Sequence, residues 1–437
     1  MLTRAQHISY CIGRLGSSIL LSLFSLASVY VYWGHFKLDP ILTGWANAIG
    51  KIVIAIAGFL IGYISDVTET RWGRRKPFVA IGAPLLAASF VFYFIPQYFI
   101  APGDQFGLFI YAAFFNSLFH FSYAFLLTPF QSWMPEITEP SERVGVARAQ
   151  NISNLLSNAI GVILSFALPS LLLSLGDWKL IALLVGLAMA EVLLYVPSLL
   201  LVPRERKPLP KPDVIREAKI VMSNRNYMQW LLSQGLVSVS TIMITSVVLS
   251  YITTVVGIQG AIGSVSFGAV LLTVMVAFFY GWGNLARRFG KGKTLLISNI
   301  VLILVLPWTL LLGQISLPIQ TEILGYAFIA LGAVGLSGFQ LFPYAIIADL
   351  AHEDELKTGE NRAGMYTGFN SIPLNAFQTL SYVITGYVLS LPTLPEKGYT
   401  SGLIWWGPVS AVFMILGTLV LSRTNVDPKL SDSPREK

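Results

Sequence analysis

Four ionizable side chains interrupt long apolar runs of this sequence: Arg14, Lys51, His120 and Glu191. On insertion scales a central Arg or Lys costs roughly 2.5–3.5 kcal/mol in a membrane, so such a residue is kept where it faces a cavity, a partner or a substrate. Arg14 and Lys51 together can hold an anionic group or donate to the hydroxyls of a polyol. Arg14 lies near the end of its run, where an arginine also snorkels to the headgroups, whereas Lys51 lies about nine residues into its run. His120 and Glu191 are the groups that can bind and release a proton.

Uncharged polar residues recur around them at helical spacing. Arg14, Ser18, Ser22 and Ser25 share one helix face. The fourth run carries Asn116, His120 and Tyr123, and the fifth carries Asn151, Asn154 and Asn158. Gln234, Ser238, Thr241 and Thr245 mark the seventh, and Asn370, Asn375, Gln378 and Tyr382 the eleventh. Any one of these serves interhelical hydrogen bonding equally well. Five stripes together point to a wet cavity whose amides, hydroxyls and rings suit a neutral polyol. The candidate solute-binding set is Arg14, Lys51, Asn116, His120, Tyr123, Asn151, Asn154, Gln234, Asn370, Asn375 and Gln378.

The elements that position these residues are membrane helices. The chain has 437 residues, 54% hydrophobic and only 12% charged, with a mean hydropathy of +0.67. A soluble surface needs far more charge. Apolar runs cover roughly 9–33, 42–65, 77–99, 106–130, 148–173, 178–202, 227–256, 264–286, 294–313, 322–347, 363–391 and 402–422. Each is long enough to cross about 30 Å of hydrocarbon as a helix. None alternates as a barrel strand does. The expected fold class is therefore all-α integral membrane, with twelve transmembrane helices in two pseudo-symmetric six-helix bundles. The bundles span 1–202 and 226–422, joined by a loop at 203–225 and followed by a tail at 423–437. Within that loop, Val214 to Met222 reads as a short surface helix.

Charge orients the chain. Of the 29 Lys and Arg residues, only Lys37, Lys179 and Lys397 fall on one side, and Lys51 lies inside a span. The remainder gather at the termini and at the loops after the even-numbered spans. By the positive-inside rule both termini are cytoplasmic, in the plasma membrane. The excess of +7 is therefore assigned to the anionic membrane face rather than to nucleic acid. The lone Cys11 excludes an intrachain disulfide. The first run is too long for a signal peptide and lacks a small-residue cleavage pattern. The four histidines are scattered, so no metal or cofactor is expected. "GWGNLA" (281–286) imitates a dinucleotide fingerprint but follows no strand. No catalytic constellation appears, which argues against an enzyme.

The densest charge cluster is "GYISDVTETRWGRRKPF" (62–78), between the second and third spans. "RWGRRK" (71–76) is echoed by "RFGKGK" (288–293) at the same place in the second half. "SERVGVARAQN" (141–151) is echoed by "ENRAGMYTGFN" (360–370), so that Arg143 matches Arg362. Such internal repeats are the mark of secondary transporters. Gly62, Asp66, Gly73, Arg74 and Arg75 resemble the loop 2–3 signature of the major facilitator superfamily. "RWGRRKPF", "SYCIGR", "TPFQSWMPEIT" and "ADLAHEDELKTGENRAGMYTGFN" (348–370) resemble the glycoside–pentoside–hexuronide:cation symporters and the related sucrose transporters. The resemblance covers nearly the whole chain. It implies a sugar solute and alternating access about a midplane site.

The departures bear on coupling. Where the melibiose-permease branch carries a sugar-binding Asp and a pair of cation-binding Asp residues, this chain has Arg14, Ile54 and Gly58; Leu127 and Asn375 replace a further Asp and a Lys. Sodium coupling of that type has no carboxylates to use. Proton symport and facilitated diffusion are both open. The resemblance also implies a cytoplasmic latch, in which Asp66, Arg71, Arg74, Arg75, Glu136, Arg143, Asp349, Asp354 and Arg362 gate the inner side. Arg71, Arg74 and Arg75 are expected to meet Glu136, Glu139 or Glu142, and Arg287 and Arg288 to meet Asp349, Glu353 or Asp354. The expected function is transport of a small polar solute, a sugar or glycoside, by a monomer in contact with membrane lipids. The alternatives are transport of an anionic or lipid-like solute on Arg14 and Lys51, and a non-transporting receptor.

Overall fold

Aspartate, threonine and proline set where the helices begin. In a computed structural model, which describes residues 3–138, 140–174, 176–204, 214–258, 260–314, 320–360 and 362–427, α1 (Arg4–Val29) opens on a capping box between Thr3 and Gln6. The Asp39 carboxylate accepts from the amides of Ile41 (2.8 Å) and Leu42 (3.2 Å), and Pro40 starts α2 (Pro40–Val67). The first half continues with α3 (Lys76–Tyr93), α4 (Gln105–Ile137), α5 (Pro140–Ser174) and α6 (Asp177–Leu201). The expected surface helix is α7 (Val214–Ser223). The second half holds α8 (Arg225–Tyr251), α9 (Ala261–Phe289), α10 (Lys291–Val305), α11 (Trp308–Gln314), α12 (Thr321–Leu341), α13 (Pro343–Thr358), α14 (Ala363–Leu389) and α15 (Gly402–Ser422). Prolines 307 and 343 split the ninth and tenth spans into two helices each, because proline removes a helix donor and clashes with the preceding turn.

Among the described residues, ten helical segments are long and apolar enough to cross a membrane. The other two spans are α5 and α14, of 35 and 27 residues. Both are long enough to span; α5 contributes the apolar helix Leu156–Leu172, and in α14 the Asn, Gln and Ser stripe dilutes the hydropathy. The fold is the all-helical membrane architecture expected from the sequence.

The chain divides into two compact units. The first joins Met1–Leu209 with Thr245–Ala269 and Tyr382–Leu403, so it includes the ends of α8, α9 and α14 remote from the basic loops. The second joins Pro210–Ile244, Val270–Ser381 and Ile404–Lys437. In the first unit α1 lies against α5 and α6, and α4 against α2 and α3. Its core is aromatic: the rings of Phe24 and Phe119 stack at 4.0 Å, and Phe24 also meets Tyr93 at 4.3 Å. In the second unit α10 lies against α12.

Lipid offers no hydrophobic drive between helices, so close backbone approach through small residues does the joining. In the first unit α2 crosses α14 at Gly44 and Gly386. A Cβ on Gly44 would sit 2.6 Å from the Tyr382 carbonyl oxygen, and one on Gly386 would sit 2.8 Å from that of Pro40. Both obstacles are backbone and cannot yield. Gly386→Leu is therefore expected to cost about 1–3 kcal/mol by overpacking. The check is a fall of several degrees in the Tm of the detergent-solubilised protein, with Gly386→Ala falling in between.

Candidate functional site

The ionizable residues inside the spans fall into two clusters of the first unit. The first joins α2 to α4. Asn47 donates to the Thr43 carbonyl (2.9 Å), and Asn116 donates to the Asn47 side-chain oxygen (2.9 Å). His120 Nδ1 lies 3.0 Å from the Asn116 carbonyl. A carbonyl only accepts, so Nδ1 carries the hydrogen and Nε2 of the neutral ring is the acceptor. Lys51, one turn along α2 from Asn47, is 8% exposed and interacts electrostatically with His120. Among the described residues no carboxylate reaches Lys51. Gly50 makes the cluster possible, since a Cβ there would fall 1.8 Å from Asn116 Oδ1 and 3.1 Å from His120 Nδ1.

The second cluster joins α1 to α6. Glu191 is fully buried, and among the described residues neither of its carboxyl oxygens has a hydrogen-bond partner. Gly16 lets the two backbones meet, because a Cβ there would lie 2.5 Å from the Glu191 Cα. One turn further on, Tyr195 shares a 2.9 Å hydrogen bond with Ser17. Tyr195 interacts electrostatically with Glu191, Tyr123 and Arg14. The Arg14 Nε and the Ser18 hydroxyl are buried without partners, and Ser22 donates to Asn158 (3.2 Å). Asn154 is half-buried. The side chains of Asn151 and Arg143 lie outside the described residues.

The second unit presents amides. Gln234 and Asn370 are buried, and the side-chain oxygen of each lacks a partner. Asn375 turns back onto the Ser371 carbonyl (2.8 Å), and Gln378 is half-buried on the same helix. Gly235 accommodates the Phe377 ring, which brings α8 against α14. A buried oxygen left without a donor costs about 1–3 kcal/mol. Asn116 Oδ1 is a third such oxygen, in the first unit. Each unit thus holds acceptors that a hydroxyl-bearing solute or water can satisfy.

The first unit also carries an ionic loop, between α2 and α3. Arg75, almost fully buried, donates to Ser65 Oγ (2.6 Å), Asp66 (2.6 Å) and Glu136 (2.6 Å), and Arg74 reaches Glu136 at 3.3 Å. Burial opposes the Arg75 charge, but hydrogen bonds and attraction from Glu136 and Asp66 outweigh it and hold its pKa above the ordinary value. Arg71 is exposed at the turn. Glu139 and the Glu142 side chain lie outside the described residues. In the second unit Lys291 pairs with Asp349, and Arg362 binds Asp354 (3.1 Å), Thr358 (3.1 Å) and Glu360.

A family model described as MFS/sugar transport protein matches residues 9–427. The chain belongs to that family. It is thus a membrane transporter of the major facilitator superfamily. Its relatives include the isoprimeverose transporter of Lactiplantibacillus pentosus, 22% identical over 89% of this chain and 81% of the relative. An uncharacterized symporter of Synechocystis sp. is 23% identical over 95% of this chain and 92% of its own. Solved structures of the same fold include the nucleoside transporter NupG (TM-score 0.70, 14% identity, 97% of this chain and 99% of that one). A bacterial homologue of the iron transporter ferroportin, in an inward-facing state, matches with TM-score 0.70 at 15% identity, over 98% and 100% of the two chains.

In this family member each half uses the same device at its basic loop. A cation of the turn between the second and third spans pairs with an acid near the end of the fourth: Arg74 and Arg75 with Glu136, Lys291 with Asp349. Arg287 and Arg288, expected to take that acid, are exposed instead. Gly290, at φ 88°, ends α9 and turns the chain so that Lys291 is the residue brought to Asp349. Asn47 escaped the sequence reading, although it lies four residues before Lys51 and shares its face. Asp427, taken as part of a tail, accepts from the amides of Lys291 (2.9 Å) and Gly292 (2.8 Å) and so caps α10.

Removing Arg75 leaves Glu136 buried beside Arg74 alone. Arg75→Ala is expected to cost about 3–5 kcal/mol, the range for breaking a buried pair from one side. Asp66 is 44% exposed at its side chain, so Asp66→Ala is expected to cost under about 1 kcal/mol while changing transport kinetics. Thermal unfolding of both variants beside a transport assay checks the contrast.

Proposed function

We propose that this transporter carries a sugar or glycoside across the plasma membrane by alternating access, with both termini cytoplasmic. The observation that carries the reading is the Asn47–Asn116–His120–Lys51 cluster. It offers amides, an imidazole and an ammonium, with no carboxylate within reach of the lysine among the described residues. These are donors and acceptors for hydroxyls. The name of the Lactiplantibacillus pentosus relative supports a glycoside as solute. The buried amide oxygens of Gln234 and Asn370 add acceptors of the same kind.

Glu191 is the proposed proton carrier, because a buried carboxyl without a partner is a group whose charge the surroundings do not hold in place. Sodium is the poorer coupling ion. Ile54 and Gly58 lie on α2 where carboxylates would be needed, and Lys51 repels a cation.

Counterflow in proteoliposomes with xylose, glucose, lactose and isoprimeverose tests the assignment. Saturable exchange of at least one of them is expected, and none would remove it. Lys51→Met deletes a charge-assisted hydrogen bond worth about 1.5–3 kcal/mol. It is expected to raise KM about ten- to hundredfold. Glu191→Gln is expected to abolish proton-driven accumulation while leaving counterflow. Proton-driven uptake that survives this substitution would free Glu191 of the role.

A second reading is an anionic solute. It is favoured by the lack of any carboxylate partner for Arg14 or Lys51 among the described residues. A sugar acid that outcompetes its neutral parent in the same assay, and loses that advantage in Lys51→Met, would establish it.

A further inference from the structure

The first unit carries an open pocket of about 750 Å³ at the end remote from the basic loops. Its wall comes from the end of α1 and the turn after it, the end of α5, the α8–α9 connection and the loop between α14 and α15. The clusters built on Lys51 and Glu191 contribute nothing to its lining. The volume falls within the usual range for a small-molecule site.

The lining chemistry is selective. Tyr30, Trp33 and Tyr399 supply aromatic faces and two phenolic hydroxyls. Serines and threonines make up much of the rest, and among the described residues Lys37 is the one charged lining residue. The Ser250 hydroxyl, on a side chain 2% exposed, is buried without a hydrogen-bond partner among the described residues, and so is that of Thr400. Burial raises the pKa of the Tyr399 hydroxyl above its ordinary value, and a phenol is in any case a neutral donor near pH 7. Rings that accept the apolar face of a pyranose, beside hydroxyls that lack partners, form a polyol site. Among the described residues the lining holds no carboxylate to attract a metal ion.

The backbone is shaped for this chamber at a cost. Helices α1 and α8, the first of each six-helix half, both end in π-helical turns, at Tyr30–His35 and Ile252–Val256. Tyr30, Trp33, Thr253 and Thr254 reach the lining from those two turns. π-Helical turns are rare and concentrate at functional sites. Lys37 has a left-handed backbone at φ 58°, alone among the described non-glycine residues. Gln105 holds it there, donating to the Lys37 carbonyl (3.1 Å) and accepting from the Asp39 amide (2.8 Å). Strain fixed in this way from a neighbouring helix is typical of ligand clamps.

We propose that this chamber is a second, outer solute site, a vestibule that binds a mono- or disaccharide before it reaches the Lys51 cluster. The choice of sugar and of the outer face rests on the function proposed above. Ring stacking on Trp33 and hydrogen bonds to Ser250 and Thr400 supply the binding.

The test uses the full-length protein in a detergent without a sugar headgroup. Thr254→Cys, exposed in the lining, is placed in a Cys11→Ser background and labelled with a maleimide. Ile262→Cys, 88% exposed and outside the lining, is the control. Saturating xylose, glucose, lactose or isoprimeverose is expected to slow labelling of Thr254→Cys at least fivefold without changing that of Ile262→Cys. Adding Trp33→Ala is expected to raise the half-protecting concentration about tenfold. Unchanged labelling of Thr254→Cys by sugars that are transported in counterflow would overturn the vestibule and leave the transport reading standing. Protection that is indifferent to Trp33→Ala and Ser250→Ala would overturn it as well. Protection by a sugar in a protein that transports none would uphold the vestibule and remove sugar transport. Neither protection nor transport would remove both.

Discussion

In hydrocarbon a polar group must find its partner inside the protein, and this constraint shapes every informative feature of the chain. The helices meet it for the backbone by closing their own hydrogen bonds. The side chains meet it unevenly. Asn47, Asn116 and His120 pass hydrogen bonds along one line, and that line exists because Gly50 leaves room for it. Glu191, Gln234 and Asn370 keep atoms without partners. Satisfied groups hold helices together, whereas unsatisfied ones mark where a solute or a proton can bind at a gain.

The two basic loops meet a related problem with different means. Arg75 is buried among Ser65, Asp66 and Glu136, so its charge is held by three neighbours. In the second half Gly292 stands where a second arginine would continue the motif, and Lys291 has one acid, Asp349. Asp427 makes up part of the difference by capping α10, placing negative charge at the helix end that favours it. The repeat is therefore kept in topology and loosened in energy. The first half is the more firmly braced of the two at this loop.

Much of the fold was legible because spans are long and lipid is unforgiving. The apolar runs, the surface helix at Val214–Ser223 and the charge bias of the loops need no tertiary information. The polar stripes of α5 and α14 were legible too, and in α14 the stripe lowers the hydropathy of the span. Within the site, Lys51, Asn116 and His120 were found because a polar residue in an apolar run stands out. Their contact was not legible, since it depends on a glycine whose importance is a missing atom. The vestibule was invisible for another reason. Its walls come from turns near residues 33, 254 and 399, and its shape depends on π-helical turns that no apolar periodicity announces.

Charge imbalance connects these observations. Lys51 sits inside the membrane span without a carboxylate partner among the described residues, and Glu191 lies on a different helix pair. Had the two formed an ion pair, each would have cancelled the other and neither would be free to respond to a solute or a proton. In the proposed mechanism the lysine repels metal cations and favours hydroxyls or anions, while the carboxyl exchanges a proton without competing for the solute. The separation also leaves the α2–α4 cluster dependent on neutral hydrogen bonds, which break and re-form more readily than a buried ion pair. A carrier must release what it binds, and the proposed site, modest bonds around a cation with no carboxylate partner among the described residues, meets that requirement better than a tightly compensated pair.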